Sequence, residues 1–166
     1  MNRIMIIFSI LSLFSCKIAD NKLRIETVMG QYIKASKTTE NGAHVRYTTR
    51  KLAKPLVEPK IDSITLIKNE LTYTIQGHIN SGGHTIAQVA HIRTKKEFQN
   101  DTVFIIHYVE IKNKPGKEGA NIMGYNYSQR FQHNLKSGIR KVNIELIHHY
   151  VSRNERRLLT TEQIEI

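Results

Sequence analysis

A single cysteine, Cys16, serves all 166 residues, so no disulfide can form within the chain. Tryptophan is absent, and Asp20, Asp62 and Asp101 are the only aspartates. Acidic residues are few, 14 against 25 lysines and arginines, which gives a formal charge of +11. The apolar run over residues 4–14 is too short to cross a hydrocarbon core of about 30 Å at 1.5 Å rise per residue, so it is no stable membrane span. There is no His-Glu-x-x-His pair, no Gly-x-Ser-x-Gly elbow and no glycine-rich loop to cradle a phosphate. These gaps leave no recognisable catalytic or cofactor motif, and no cofactor is implied.

The apolar fraction of 40% and charged fraction of 23% are those of a globular protein, and the length suits one domain with short extensions. The excess of basic residues favours anionic surroundings without naming them. The cations are spread along the chain, with short clusters such as Arg153, Arg156 and Arg157. No long basic arm or basic helix is evident, which argues against a nucleic-acid partner.

The N-terminus is the most informative segment. Met1-Asn2-Arg3 supplies a positive start, residues 4–14 an apolar stretch, and Ser15-Cys16 a small residue before the lone thiol. That order fits an export signal over residues 1–15. Leu13-Phe14-Ser15-Cys16 resembles the lipobox of bacterial lipoproteins, with Phe14 bulkier than the usual residue. The resemblance implies that Cys16 takes a diacylglycerol, that the signal is cut before it, and that the new amine is acylated. Several acyl chains give stable anchoring, since each buried CH₂ contributes about 0.8 kcal/mol. Loss of residues 1–15 removes only the charge of Arg3, so the mature chain carries +10. Similarity to Gram-negative lipoproteins, with Lys17 after the cysteine, implies the outer membrane and its periplasmic face.

Residues 17–60 show no clean hydrophobic period; they contain the Asn41-Gly42 turn signal and two prolines, each restricting its predecessor to extended conformations. They read as a lipidated tether, residues 16–60, leading into a folded unit, residues 61–166. From Ile61 short alternating apolar runs are separated by polar turns, the pattern of a β-protein. Tyr73, Ile75, Gly77 and Ile79 share one face, with Thr72, Thr74, Gln76 and His78 on the other. Residues 102–111 are apolar on both faces, which predicts a central strand. Val142, Ile144 and Leu146 alternate with polar residues, and 163–166 suit an edge strand. Six or seven strands without a convincing helix predict an all-β, antiparallel sandwich. The Leu135-Lys136-Ser137-Gly138 turn and the alternation through Ile144 resemble bacterial immunoglobulin-like domains. That resemblance implies a fold and no particular function.

Histidine is the over-represented reactive residue, with His78, His84, His91, His107, His133, His148 and His149 in the β region. If residues 95–101 connect a hairpin, His91 and His107 come nearly opposite each other and offer half of a zinc or copper site. Ser81 and His84 flank two glycines, an ordinary loop composition. Glu110 and Glu145 are candidates for a carboxylate pair, though nothing in their spacing brings them together. Tyr125, Tyr127 and Phe131, beside Arg130 and Lys136, offer either a partner-binding surface or a strand's core face.

The expectation is a non-enzymatic binding or assembly module held in the cell envelope by a lipid anchor. Its partner is expected to be an envelope protein or an anionic polymer, met by sheet edges and by loops 80–84 and 112–120. The lipoprotein of type VI secretion systems is similar in size and layout. Two alternatives stand beside this reading. One is a metal-binding protein or enzyme built on the histidines; the other is a periplasmic immunity or inhibitor lipoprotein.

Overall fold

A computed structural model describes residues 21–80, 86–114 and 122–166. Cys16 with the expected signal, most of the loop at 80–84, including Ser81 and His84, and residues 115–121 lie outside them. Nine strands form in chain order: β1 (Arg24–Thr38), β2 (His44–Leu52), β3 (Lys60–Ile67), β4 (Glu70–Asn80), β5 (Ile86–Gln99), β6 (Thr102–Lys114), β7 (Ile122–Asn134), β8 (Lys141–Tyr150) and β9 (Glu155–Glu165). One 3₁₀ turn, Val151–Arg153, links β8 to β9.

The strands build two sheets, in the orders β2-β1-β7-β4-β3 and β5-β6-β8-β9. Neighbours pair antiparallel except β6 and β8, which run parallel because β7 crosses to the other sheet between them. The all-β sandwich read from the sequence is therefore present, with nine strands where about seven were expected.

Alternation in the sequence sets the inner faces. Leu71, Tyr73, Ile75 and Ile79 of β4 join Tyr125, Tyr127 and Phe131 of β7 in the core. Val103, Ile105, Val109 and Ile111 of β6 meet them with Val142, Ile144 and Leu146 of β8. Burying one such side chain stabilises the fold by about 1.5–3 kcal/mol. Strand β6 lies centrally in its sheet, between β5 and β8, as its two apolar faces imply. The turns fall where the sequence marks them: Gly42 (φ 76°) between β1 and β2, and Ser137-Gly138 (φ 90° at Gly138) before β8.

Two expectations are corrected. The stretch from 16 to 60 is no simple tether, since Arg24–Thr38 and His44–Leu52 are strands of the first sheet. Residues 24–29 pair with β7, so the sheet supplies a template that the weak local pattern did not reveal. The second correction concerns residues 95–101, expected as a charged connection. Strand β5 runs on to Gln99, and Asn100 (φ 53°) with Asp101 makes the whole turn.

The prolines do what their positions suggest, but against a surface. The segment between β2 and β3 crosses the outer face of the first sheet, fastened by the buried Asn126. The Val57 N–H donates to Asn126 Oδ1 at 2.9 Å, and Asn126 Nδ2 donates to the Pro55 carbonyl at 3.1 Å. His78 Nδ1 donates to the Val57 carbonyl at 2.8 Å. Asn126→Ala is expected to cost about 1–3 kcal/mol by leaving these groups unmatched. Urea unfolding measures the loss, and amide exchange at Val57 localises it. An unchanged Val57 exchange rate would show that the fastening does not depend on Asn126.

Candidate functional site

The second half of β1 and the whole of β2 form a two-stranded ribbon. Strand β1 pairs with β7 only from Arg24 to Met29, whereas Gly30 to Thr38 pair with Leu52 to His44. Beyond Met29 the ribbon has no third strand among the described residues.

Register sorts its side chains onto two faces. Tyr32, Lys34, Ser36 and Thr38 sit opposite Arg50, Thr48, Arg46 and His44. That face is cationic and rich in hydroxyls. The Arg50 guanidinium donates to Tyr32 Oη at 3.1 Å and lies 5.2 Å from the ring centre, and Thr38 Oγ1 lies 3.1 Å from His44 Nδ1. The other face sets Ile33, Ala35 and Lys37 opposite Thr49, Tyr47 and Val45, with Gln31 opposite Lys51. Its centre is apolar, and Val45 and Tyr47 remain 41% and 44% exposed. Between Gln31 and Lys51 the ribbon holds five lysines and arginines and one acid, Glu40 near the tip. A shallow groove of about 570 Å³ runs along it, lined by Lys34, Ala35, Ser36, Arg46, Tyr47 and Thr48. Cations and hydroxyls of this kind recognise anionic oxygen.

A second charged group lies on the outer face of the other sheet. His91, Glu110, His149 and Arg156 face one another across β5, β6, β8 and β9. Glu110 accepts from Arg93 Nε at 3.1 Å and meets His91 Nε2 at 3.2 Å, with His149 Nδ1 at 3.9 Å. Burial pushes its carboxyl up, but the Arg93 hydrogen bond and the charges of His91, Arg93 and His149 outweigh this and hold it below the ordinary range. Tyr108 is buried beneath two guanidinium groups, Arg93 at 4.4 Å and Arg156 at 5.5 Å from its ring centre. No group of three His, Cys, Asp or Glu side chains suited to a metal ion occurs among the described residues.

The residues singled out by sequence fall apart in space. His91 opposes Glu110 on the outer face, whereas His107 opposes Thr94 and is fully buried between the sheets. Because β5 continues to Gln99, His107 meets a residue three positions from His91, and three positions along a strand reverses the face. The two imidazoles form no half-site. Tyr125 and Tyr127 are core residues at 7% and 2% exposure, and only Arg130 faces solvent. The three thus present no common partner-binding surface, since alternate strand positions point to opposite sides. Arg130 instead joins Lys22 and Arg24 around a hollow on the outer face of the first sheet. Glu145 opposes Ile106, four residues along β6 from Glu110, or about 13 Å away at strand rise.

The buried histidines are core hydrogen-bonding groups. Tyr73 Oη lies 2.6 Å from His107 Nε2 and 3.0 Å from His133 Nε2, and His107 Nδ1 is 2.9 Å from Thr94 Oγ1. A phenol has one proton, so Tyr73 donates to one imidazole and accepts from the other. Tyr127 Oη reaches His148 Nε2 at 2.9 Å across the sandwich. Burial, then the charges of His133 and Lys96, bring His107 down to about 3. Burial, then His78 and Arg157, bring His148 to about 4; burial, then Lys96, does the same for His133. Burial raises the phenols of Tyr73 and Tyr127 above their ordinary value. These groups are neutral near pH 7 and complete one another's hydrogen bonds.

The ribbon was missed in the sequence, although a signal was there. Around Asn41-Gly42, Lys34, Ser36 and Thr38 alternate with Ile33 and Ala35, and Arg46, Thr48 and Arg50 alternate with Val45 and Tyr47. Two alternating runs about an Asn-Gly turn are the mark of a hairpin.

The chain matches no family model, no curated protein and no solved structure.

Proposed function

We propose that this protein is a cell-envelope lipoprotein, anchored through Cys16, that acts as a non-enzymatic binding or assembly module with the β1–β2 ribbon as its contact element. The observation that carries the reading is the ribbon itself. A two-stranded hairpin gains little stability alone in water, so an extended one with an apolar face is suited to being covered by a partner. Its charge selects an anionic partner. The lipid anchor rests on the residues before and at Cys16, and the basic group of Lys22, Arg24 and Arg130 near the start of β1 suits a position close to anionic headgroups.

Two measurements test this reading. Intact mass of the native protein is expected to show a chain beginning at an acylated Cys16; a chain retaining Met1, or an unmodified thiol, removes the anchor. Capture from envelope extracts is then compared between the parent and a Lys34→Gln/Arg46→Gln variant. Both positions are exposed, so the fold should persist. A component held by the parent and lost with the variant supports the ribbon as contact element. Identical captures remove it from that role.

A further inference from the structure

The two faces of the ribbon ask for different chemistry from one partner. A soluble polyanion would satisfy Lys34, Arg46 and Arg50 and leave Ile33, Val45 and Tyr47 in water. A second copy would cover the apolar face but bring two strongly cationic ribbons together, a repulsive arrangement. The surface of an anionic bilayer satisfies both at once. Its headgroup phosphates pair with the cations, and its upper acyl region takes short apolar side chains and the ring of Tyr47. Lys37 and Lys51 bracket the apolar centre, where their long stems can lie along it while the ammonium groups reach the phosphates. No ion pair ties Lys34, Lys37, Arg46 or Lys51 to a carboxylate among the described residues.

We propose that the β1–β2 ribbon lies on an anionic lipid surface, its Ile33/Ala35/Val45/Tyr47 face turned into the interface and its cations on the headgroup phosphates. This rests on the reading of the ribbon as the contact element. It adds a second membrane contact to any anchor at Cys16, and two tethered contacts bind far more tightly than either alone. The body of the sandwich would then be held close to the bilayer at a set orientation.

The absence of tryptophan offers a direct test. In the full chain carrying Cys16→Ser, which cannot be acylated, Tyr47→Trp places the only indole on the apolar face. Mixed with vesicles containing phosphatidylglycerol, the indole emission is expected to shift to the blue, and to stay unshifted with vesicles of phosphatidylcholine alone. Adding Lys34→Gln, Arg46→Gln and Lys51→Gln, all at exposed positions, is expected to weaken partition at least tenfold, because each removes a positive charge attracted to the anionic surface. The N-terminal segment is common to both chains, so the difference belongs to the ribbon. A blue shift that grows with protein concentration without vesicles assigns the face to a second copy and overturns the proposal. Binding of inorganic polyphosphate with no indole shift on anionic vesicles assigns the ribbon to a soluble polyanion and also overturns it. No shift on any vesicle overturns it too. The envelope capture stands apart from this result, so the failure of the lipid surface and the failure of the ribbon as contact element are told apart.

Discussion

Stability should fall steeply as the pH is lowered from 6.5 towards 4.5. Three imidazoles in the sandwich interior are held far below the ordinary histidine value, His107 at about 3 and His133 and His148 at about 4. In the unfolded chain the same groups titrate near 6.5. Between the two values the unfolded state binds more protons, so stability rises with pH. Their neutral form contributes fully above pH 6.5 and its contribution is lost as the pH falls towards the folded values. His107 and His148 are buried and count fully; His133 is partly exposed and counts for less. Two protons at about 1.36 kcal/mol per pH unit each give a slope near 2.7 kcal/mol per unit, and a loss of about 5 kcal/mol by pH 4.5. That is most of the stability of an ordinary domain.

Urea midpoints between pH 7.5 and 4.5 measure the slope. The interval from 6.5 to 5 belongs mainly to histidine, because carboxylates such as Glu110 are held below their usual range and titrate later. His148→Gln keeps a polar side chain opposite Tyr127 without a titrating group, and should remove about half of the slope. A parent protein with the same stability at pH 7 and pH 5 would mean that these rings take up protons without unfolding.

The second large effect concerns the place where a side chain needs its neighbour to have none. Tyr127 crosses the core to His148, and its ring passes over Gly77, its register partner on β4. A Cβ at position 77 would lie 2.5 Å from Tyr127 Oη and 2.8 Å from Cζ. The phenol cannot swing aside without losing the His148 bond. Gly77→Ala is therefore expected to cost about 1–3 kcal/mol, the usual range for overpacking. Tyr127→Ala should cost about 3–5 kcal/mol, since it empties a core position and orphans the His148 ring. In a Tyr127→Leu or Tyr127→Ala background the penalty for Gly77→Ala should fall towards zero. The two costs are then strongly non-additive, as expected for residues in contact. Equal penalties in both backgrounds would show that the strain at position 77 comes from somewhere else.

The interior thus mixes aliphatic packing with tyrosine–histidine pairs that span the two sheets. Such pairs fix which strand faces which, because a slipped register would bury an unmatched hydroxyl or imidazole. Tyr73 against His107 and Tyr127 against His148 each join the two sheets at a defined point.

The sequence by itself determined the class of fold and much of its core. Alternation at Tyr73, Ile75 and Ile79 and at Val142, Ile144 and Leu146 reports a half-buried strand directly, because a period of two has only one inner face. The Ser137-Gly138 turn was legible for an equally local reason, since the positive φ at Gly138 selects few residue types. What lay beyond the sequence was everything set by pairing between distant strands. Whether residues 24–52 trail or join a sheet depends on β7, about a hundred residues later. Which face His91 or His107 occupies depends on where the β5–β6 turn falls, and a shift of a few residues exchanged a supposed metal pair for one core histidine and one surface partner of Glu110. Tyr125 and Tyr127 likewise look the same in sequence whether they face a partner or the opposite sheet. Local chemistry marks strands and turns, but a side chain's neighbours across a sandwich are fixed only when the two sheets close on each other.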